Sequence, residues 1–408
     1  AFRQNPLHMS SIQARPVSPP ISSAAPVVVH AGFVVTGVVT TLMGPILPIL
    51  ISRWSLSDQR AGLYFTAQFC GSMLGVALLG PMLARGYRNA FVWGYLLIAA
   101  GVAGLNLGSN LATLASATMF GCGLGLTLSA TNLWIAEISK ARRVAALSIL
   151  NLMWGIGAIA SAPLVMLAQR RSATPPFLYV LAAASALAAL LLVGMNLEPA
   201  TSAADDSQLA PSRPAHISMR SAVSLAVLFF LYVGCENSVA GWVAALTKRM
   251  NSDSSDLWAL APMFFWGGLL AGRALIPVLS MRRRERLLLE GGLILSAAAT
   301  CLLLRANTFS SVAILLVAAG LGFAGTFPIL VAWLVKAFGE KSRRIGAIMF
   351  ALAGLGGATL PWLVGLTSTK EGSLRDGLVI PLAGCAAMFA LIAMMREPAF
   401  RTSRTQAD

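Results

Sequence analysis

The chain has 408 residues, of which 57% are hydrophobic and only 11% are charged, and its mean hydropathy is +0.75. A soluble domain carries roughly 25% charged residues, so this composition excludes a soluble globular enzyme. The 30 Lys and Arg residues outnumber the 15 Asp and Glu residues, giving a formal net charge of +15. Their short clusters between long apolar runs are typical of a polytopic membrane protein rather than of a nucleic-acid-binding protein.

The apolar stretches predict twelve transmembrane helices, since about 20 apolar residues cross a bilayer. Residues 1–26 are rich in Pro and Ser and are predicted to form a disordered cytoplasmic tail. Within that tail, residues 1–8 precede Met9 and resemble an added segment. The predicted spans are 27–51, 61–84, 90–108, 110–138, 144–169, 177–197, 221–246, 257–280, 286–305, 309–337, 344–367 and 378–395.

One connection is long, at residues 198–219, and its Pro, Ser, Ala and Asp content predicts a flexible cytoplasmic linker. The linker falls between the sixth and seventh spans. It therefore divides the chain into an N-terminal six-helix bundle at 27–197 and a C-terminal six-helix bundle at 220–395, followed by a cytoplasmic tail at 396–408.

The distribution of basic residues predicts the orientation. With both termini in the cytoplasm, 20 of the Lys and Arg residues lie on inner segments and 9 on outer segments, while Arg273 lies within a span. Because cytoplasmic loops carry the excess of positive charge, both termini are expected in the cytoplasm, with the chain in a bacterial inner membrane.

The two predicted halves share a sequence repeat. Gly71 in the second span matches Gly267 in the eighth at an offset of 196. Gly123-Leu124-Gly125 in the fourth span matches Gly320-Leu321-Gly322 in the tenth at an offset of 197. Six-span halves in the same orientation are the parallel-repeat architecture of secondary transporters.

Residues 27–395 resemble the major facilitator superfamily. The loop GPMLARGYR, residues 80–88, is similar to the family's signature between spans two and three, although Ala84 stands at its acidic position. Residues 230–243 and 125–137 resemble the fucose-permease-like sugar porters. The resemblance implies an all-α membrane protein with 12 transmembrane helices in two pseudo-symmetric six-helix bundles. It also implies that spans one, four, seven and ten line a central cavity.

Glu236 is the leading candidate for a functional residue. It lies 10 residues from the outer end of span seven, roughly 15 Å along the helix at 1.5 Å per residue. A carboxylate at that depth costs several kcal/mol unless it is paired or hydrated. We expect Glu236 and its neighbour Asn237 to recognise substrate hydroxyls, to bind a cation or to carry a proton; the alternative is a structural hydrogen bond.

Further charged residues are candidates for coupling and gating. Arg273 lies in the inner half of span eight, where a gating or structural role and substrate contact are both open. Glu137 is expected to form an inter-helix lock or an interfacial charge near the cytoplasmic surface, and Glu290 is interpreted in the same way. Basic residues at equivalent loops of the two halves are expected to form the inner gate: Arg142, Arg143, Arg343 and Arg344.

Polar and aromatic residues on the cavity-lining spans and their neighbours suggest the substrate class. Amide groups can bind hydroxyls, and indole faces can stack on the apolar face of a pyranose, so the set favours a sugar over a lipophilic drug. The candidates for substrate binding, beside Glu236 and Asn237, are Thr40, Gln68, Asn132, Asn151, Trp154, Trp242, Trp266 and Trp333.

The sequence therefore predicts a secondary active transporter for a small polar solute, with a sugar as the expected class and H⁺ or Na⁺ as the coupling ion. The alternative is a multidrug or metabolite exporter of the same fold. The chain carries no HExxH motif, paired-carboxylate cluster or Ser/His/Asp set, so we do not expect an enzyme. We expect no cofactor, metal site or nucleic-acid partner, and a monomer in the lipid bilayer.

Overall fold

Nearly all of the described chain is α-helical. The computed structural model describes residues 21–198, 219–250, 256–282, 285–339 and 342–395. Short 3-10 turns at Lys140–Arg142 and Asp256–Leu260 precede the sixth and ninth helices. The helices are α1 Ala25–Thr41, α2 Met43–Trp54, α3 Asp58–Leu83, α4 Tyr87–Gly104, α5 Asn110–Ile138, α6 Arg143–Arg170, α7 Thr174–Val193, α8 Met219–Met250, α9 Ala261–Arg282, α10 Glu285–Leu303, α11 Phe309–Phe323, α12 Thr326–Phe338, α13 Ser342–Glu371, α14 Leu374–Gly377 and α15 Val379–Met394.

The number of membrane spans is close to the predicted twelve. By length and composition, the described residues hold ten candidate spans, or eleven if the bent pair of α1 and α2 counts as one. The remaining predicted span, 90–108, corresponds to α4, an 18-residue helix. Its first turn carries Tyr87, Arg88 and Asn89, which lower its hydropathy. The all-helical fold class is thus confirmed, and α4 is the span that length and composition alone do not support.

Two predicted spans are interrupted, at Leu42 and at Ala324–Gly325, and a third break, at Leu378, lies at the start of the predicted span 378–395. A proline follows three residues after the end of each break. Proline has no N–H to donate, and its ring clashes with the carbonyl group four residues earlier, so the helix loses a hydrogen bond there. At the first interruption α1 and α2 are bent by 44°. The residues whose carbonyl groups lose this bond, each with its proline, are Thr41 with Pro45, Ala324 with Pro328, and Gly377 with Pro381.

The ends of the N-terminal part (residues 21–198) and the C-terminal part (residues 219–395) lie on one side, here called the terminal face. The Ser22 N–H donates to the Asn196 carbonyl at 3.1 Å, and Arg286 donates to the Met395 carbonyl at 3.1 Å. The other ends of the helices form the opposite face. The first helix begins at Ala25, two residues before the predicted start of the first span, with Pro26 in the first turn. Residues 1–20, 199–218 and 396–408 lie outside the described residues, and the division into two bundles remains a prediction.

Glycines set the packing of equivalent helix pairs in the two parts. A Cβ on Gly71 would lie 2.0 Å from the Thr118 carbonyl oxygen, so α3 and α5 are in backbone contact there. A Cβ on Gly268 would lie 2.3 Å from the Val317 carbonyl oxygen, placing α9 against α11 in the same way, whereas a Cβ on Gly267 would meet open space. The structural partner of Gly71 is therefore Gly268, and the offset of 196 is wrong by one residue.

Alanine substitutions at these glycines should have different effects on the stability of the protein. We expect Gly71→Ala and Gly268→Ala each to destabilise the protein by about 1–3 kcal/mol, because the added methyl group overpacks a backbone contact. Gly267→Ala is the matched control, one residue away in open space, and should leave the thermal unfolding midpoint unchanged or slightly higher. Thermal unfolding in detergent measures the difference, and equal midpoints for Gly267→Ala and Gly268→Ala would contradict the structural register.

Candidate functional site

A small cavity lies between the N-terminal and C-terminal parts. Its volume is about 10 Å³, near the smallest that holds a water molecule. Thr40 of α1 and Gln68 of α3 line it from one part, and Asn237 of α8 and Trp266 of α9 line it from the other. Four residues that the sequence nominated on different helices therefore meet at one place, here called the central cavity.

Gln68 presents an unused hydrogen-bond acceptor to the central cavity. Its side-chain N–H donates to the Thr40 carbonyl at 3.0 Å. Its Oε1 atom is buried and has no hydrogen-bond partner among the described residues. By contrast, the Asn237 amide donates to the Val233 carbonyl of its own helix at 2.8 Å. An unpartnered buried acceptor costs free energy, so the Gln68 oxygen is disposed to receive a donor from water or a ligand.

Two tryptophans join the parts beside the central cavity. Trp154 of α6 and Trp266 of α9 form an edge-to-face pair with ring centroids 5.7 Å apart. Trp154 also donates a long hydrogen bond to the Thr40 hydroxyl at 3.4 Å. The Arg273 guanidinium lies 5.9 Å from a Trp154 ring centroid, within cation–π range. Trp154 thus connects the polar residues of α1 with the charged residue of α9.

Glu236 is buried, with 6% of its surface exposed. Tyr232, one turn earlier on α8, and Arg273 on α9 both interact electrostatically with its carboxyl group. Glu236 and Arg273 make no direct salt bridge of the kind the described residues form elsewhere. The guanidinium therefore acts on the carboxyl group across a gap.

Four of the nominated substrate-binding residues lie away from the central cavity. Asn132 and Asn151 are exposed, and each donates to a carbonyl one turn earlier in its own helix. Trp242 is fully buried and donates to the Pro361 carbonyl at 2.8 Å, so it holds α8 against α13. Trp333 of α12 donates to the Glu285 carboxylate at 3.0 Å near the terminal face.

The nominated gating residues lie at the terminal face and are only partly described. Glu137, Arg142 and Arg143 are exposed there. The side chains of Arg343 and Arg344 lie outside the described part of the structure. Glu290 forms a salt bridge with Arg286 of its own helix at 2.7 Å, so this pair lies within α10 rather than between helices. Among the described residues, no group of three or more His, Cys, Asp or Glu could hold a metal ion.

The opposite face carries a cluster of polar contacts between the two parts that sequence reasoning missed. Asp58, in the first turn of α3, accepts two hydrogen bonds from Arg249 of α8, one of them at 2.8 Å. Ser368 of α13 donates to the same carboxylate. The Gln59 N–H donates to the Thr369 hydroxyl at 2.9 Å. We call these residues the opposite-face cluster, and they close that face of the protein.

Sequence offered one weak signal for this cluster. Ser57 caps α3, and Asp58 follows in the first turn, where a carboxylate is favoured by the helix dipole. That local role explains an acidic residue without any partner. Arg249 and Ser368 are 191 and 310 residues away along the chain, so only the fold brings the three together.

The described residues are almost all helical, hold ten or eleven candidate spans and enclose a polar cavity between the two parts, so the chain is a multi-pass membrane protein. Its family follows from the sequence match: the chain belongs to the Major Facilitator Superfamily, whose profile matches residues 29–361. Members of this superfamily are secondary transporters rather than enzymes.

Individual relatives are distant. The chain is 26% identical over 181 residues to the glucose/mannose transporter GlcP of Bacillus subtilis (strain 168), a match covering 43% of this chain and 42% of that protein. The chain thus spans less than half of this curated relative. A D-xylose-proton symporter is similar in structure, with a TM-score of 0.72, 16% identity and coverage of 91% and 97% of the two chains. The E. coli fucose:proton symporter FucP (N162A) has a TM-score of 0.59, 16% identity and coverage of 91% and 98%.

These similarities confirm that the chain resembles fucose-permease-like sugar porters, and they show that the resemblance is distant. Identities this low in the solved structures establish the fold. They leave the substrate to be argued from the residues of the central cavity.

Breaking the opposite-face cluster should open that face. Asp58→Asn keeps the shape but removes the charge, and Arg249, which is 44% exposed at its side chain, can be hydrated without its partner. We therefore expect a shift in conformation rather than unfolding. Spin labels at Arg60→Cys and Lys370→Cys, with the exposed Cys70 and Cys301 replaced, should report a larger long-distance population in Asp58→Asn.

The matched control is Glu290→Gln, which breaks a carboxylate–arginine pair that lies within one helix. It should leave the label distances unchanged. An unaltered distance distribution in Asp58→Asn would show that the cluster does not hold the opposite face closed.

Proposed function

We propose that the chain transports a small polar solute of the sugar class by alternating access, coupled to H⁺ or Na⁺. The observation that carries the proposal is the meeting of Thr40, Gln68, Asn237 and Trp266 from both parts at one buried cavity. The unpartnered Gln68 oxygen supports a hydroxyl donor as ligand. The Trp154–Trp266 pair offers apolar surface beside it. A lipophilic exporter would have little use for a buried amide acceptor.

The central cavity is far smaller than a monosaccharide, so the site must expand to bind. Binding pockets for small molecules typically measure about 300–1,000 Å³, against about 10 Å³ here. Because Trp154 and Trp266 belong to different parts, movement of one part against the other would separate the rings and enlarge the cavity. Rocking of two repeats around a central site is the transport motion expected of this architecture.

The opposite-face cluster indicates the state of the transport cycle. At that face, Arg249 of the C-terminal part donates to Asp58 of the N-terminal part. A further hydrogen bond between the two parts lies along α3, where Thr66 donates to the Ala358 carbonyl at 2.7 Å. If the termini are cytoplasmic, as the basic residues predict, the opposite face is external and the structure represents an inward-facing state. The basic loops around Arg142–Arg143 and Arg343–Arg344 would then form the gate that closes in the other state.

Glu236 is proposed as the coupling residue. A buried carboxyl group must be protonated, paired or bound to a cation, and Arg273 acts on it without a direct salt bridge. The two residues lie on α8 and α9 of the same part, and Trp154 of the other part touches Arg273. Movement between the parts would therefore change the surroundings of Arg273 and, through it, the charge state that Glu236 prefers.

A ligand screen tests the substrate class. We expect one or more of glucose, mannose, xylose and fucose to raise the thermal unfolding midpoint of the purified protein, because a ligand that binds only the folded state stabilises it. Organic anions and lipophilic cations serve as comparison sets, with and without Na⁺. Stabilisation by lipophilic cations with no effect of any sugar would replace the proposal with the exporter alternative.

Glu236→Gln tests coupling in reconstituted vesicles. If Glu236 carries the coupling ion, the variant should still exchange substrate but no longer concentrate it, because the charge that links ion and substrate is gone. If Glu236 only accepts substrate hydroxyls, affinity should fall about 10- to 100-fold, typical of a hydrogen bond to a charged group, with accumulation retained.

Glu371→Gln is the matched control, since it removes an exposed carboxylate at the end of α13 and should transport like the wild type. Wild-type accumulation and affinity in Glu236→Gln would leave Glu236 a structural residue and would turn attention to Arg273.

A further inference from the structure

A second cavity lies at the terminal face of the C-terminal part, separate from the central cavity. Its volume is about 450 Å³, and it is bordered by the first turns of α8 and the last turns of α12 and α15. The residues that line it are Arg220, Ser221, Ser224, Leu225, Trp333, Ala337, Met394 and Met395. None of the polar α8 residues in this group lines the central cavity.

Three polar side chains of this cavity are unused. Arg220 forms no salt bridge or hydrogen bond with another described residue, and the hydroxyl groups of Ser221 and Ser224 form none either. Ser224 is only 8% exposed, so its hydroxyl group faces the cavity rather than bulk water. A guanidinium and two hydroxyl groups around one space are a donor set suited to the oxygens of a phosphate.

The nearby carboxylate does not cancel the charge of Arg220. Glu285 accepts a hydrogen bond from Trp333 at 3.0 Å and forms a salt bridge with Lys336 at 2.7 Å. The cation that remains without a described partner at the cavity is Arg220. Its charge favours an anionic ligand.

The surface beside Arg220 indicates that the ligand has apolar chains. At 3.6 residues per turn, Val223 and Val227 lie on the same side of α8 as Arg220 and Ser224. Val223 is 54% exposed and Val227 is 41% exposed, and Met394 of α15 is 62% exposed. On a membrane-spanning helix, exposed apolar side chains face lipid, so the cavity opens beside the lipid surface at the end of the spans.

We propose that this cavity binds the headgroup phosphate of an anionic phospholipid. Arg220, Ser221 and Ser224 donate to the phosphate oxygens, and the acyl chains lie along Val223 and Val227. Basic pockets between transmembrane helices at a membrane surface are sites of this kind. Since α8 also carries Glu236 and Asn237, a bound lipid would hold the terminal end of a helix that lines the central cavity.

Native mass spectrometry of the purified full chain tests the proposal with phosphatidylglycerol and with phosphatidylcholine of the same chain length. We expect phosphatidylglycerol to bind more tightly to the wild type. Arg220→Gln should weaken that binding about tenfold or more, the loss expected for a charge-assisted hydrogen bond, and Ser224→Ala should weaken it less. Arg88→Gln, which removes an exposed arginine at the same face, is the matched control and should bind like the wild type.

Equal binding of the two lipids, or unchanged phosphatidylglycerol binding in Arg220→Gln, would overturn the site. Displacement of the lipid by an equal concentration of inorganic phosphate would assign the cavity to a soluble anion and contradict the proposal that it binds a phospholipid. Binding that appears only after residues 396–408 are removed would assign the cavity to that segment instead.

Discussion

The absence of water inside a membrane constrains every polar side chain of this protein. Many hydroxyl and amide groups within the described helices meet the constraint locally, by donating to a backbone carbonyl one turn earlier. Thr36, Thr40, Thr127 and Thr247 all do so. Against that background, a polar group that reaches to another helix stands out, whether it holds two helices together, as Trp242 does, or lines a cavity. Gln68, which donates to α1 and keeps an unpartnered oxygen, is such a group in the central cavity.

Whether a feature of the protein could be predicted from the sequence depends on how far apart along the chain the interacting residues lie. Hydropathy locates the spans because membrane insertion depends on local composition, and a buried carboxylate such as Glu236 is recognisable for the same reason. Asn132 and Asn151 were nominated on chemistry, but each is satisfied within its own helix, and sequence does not reveal which way an amide turns. The pairing of Asp58 with Arg249 and Ser368 was missed because it joins residues that only tertiary structure brings together.

The internal repeat shows the same limit of prediction from the sequence. Sequence matching found the equivalent helices, but it placed Gly71 opposite Gly267 instead of Gly268. In a chain with 37 glycines, identity at one position carries little information. The backbone contact identifies the right residue, because a side chain is excluded there by the neighbouring carbonyl oxygen. The packing of the helices therefore identifies which glycines of the two repeats are equivalent, whereas sequence matching leaves the alignment ambiguous by one residue.

The prolines that follow the three helix interruptions have a mechanical consequence. An unbroken helix resists bending because its backbone hydrogen bonds must stretch. At Thr41, Ala324 and Gly377 the bond to the residue four positions later is absent in every conformation, since proline never has a proton to donate. One fewer bond of the ladder therefore opposes a change of angle there, although bonds such as the one from the Leu378 N–H to the Leu374 carbonyl remain. The chain is therefore expected to bend more easily at these three points than within the helices that flank them. In the first span, α1 and α2 can then tilt relative to each other while the hydrogen bonds inside each helix stay intact.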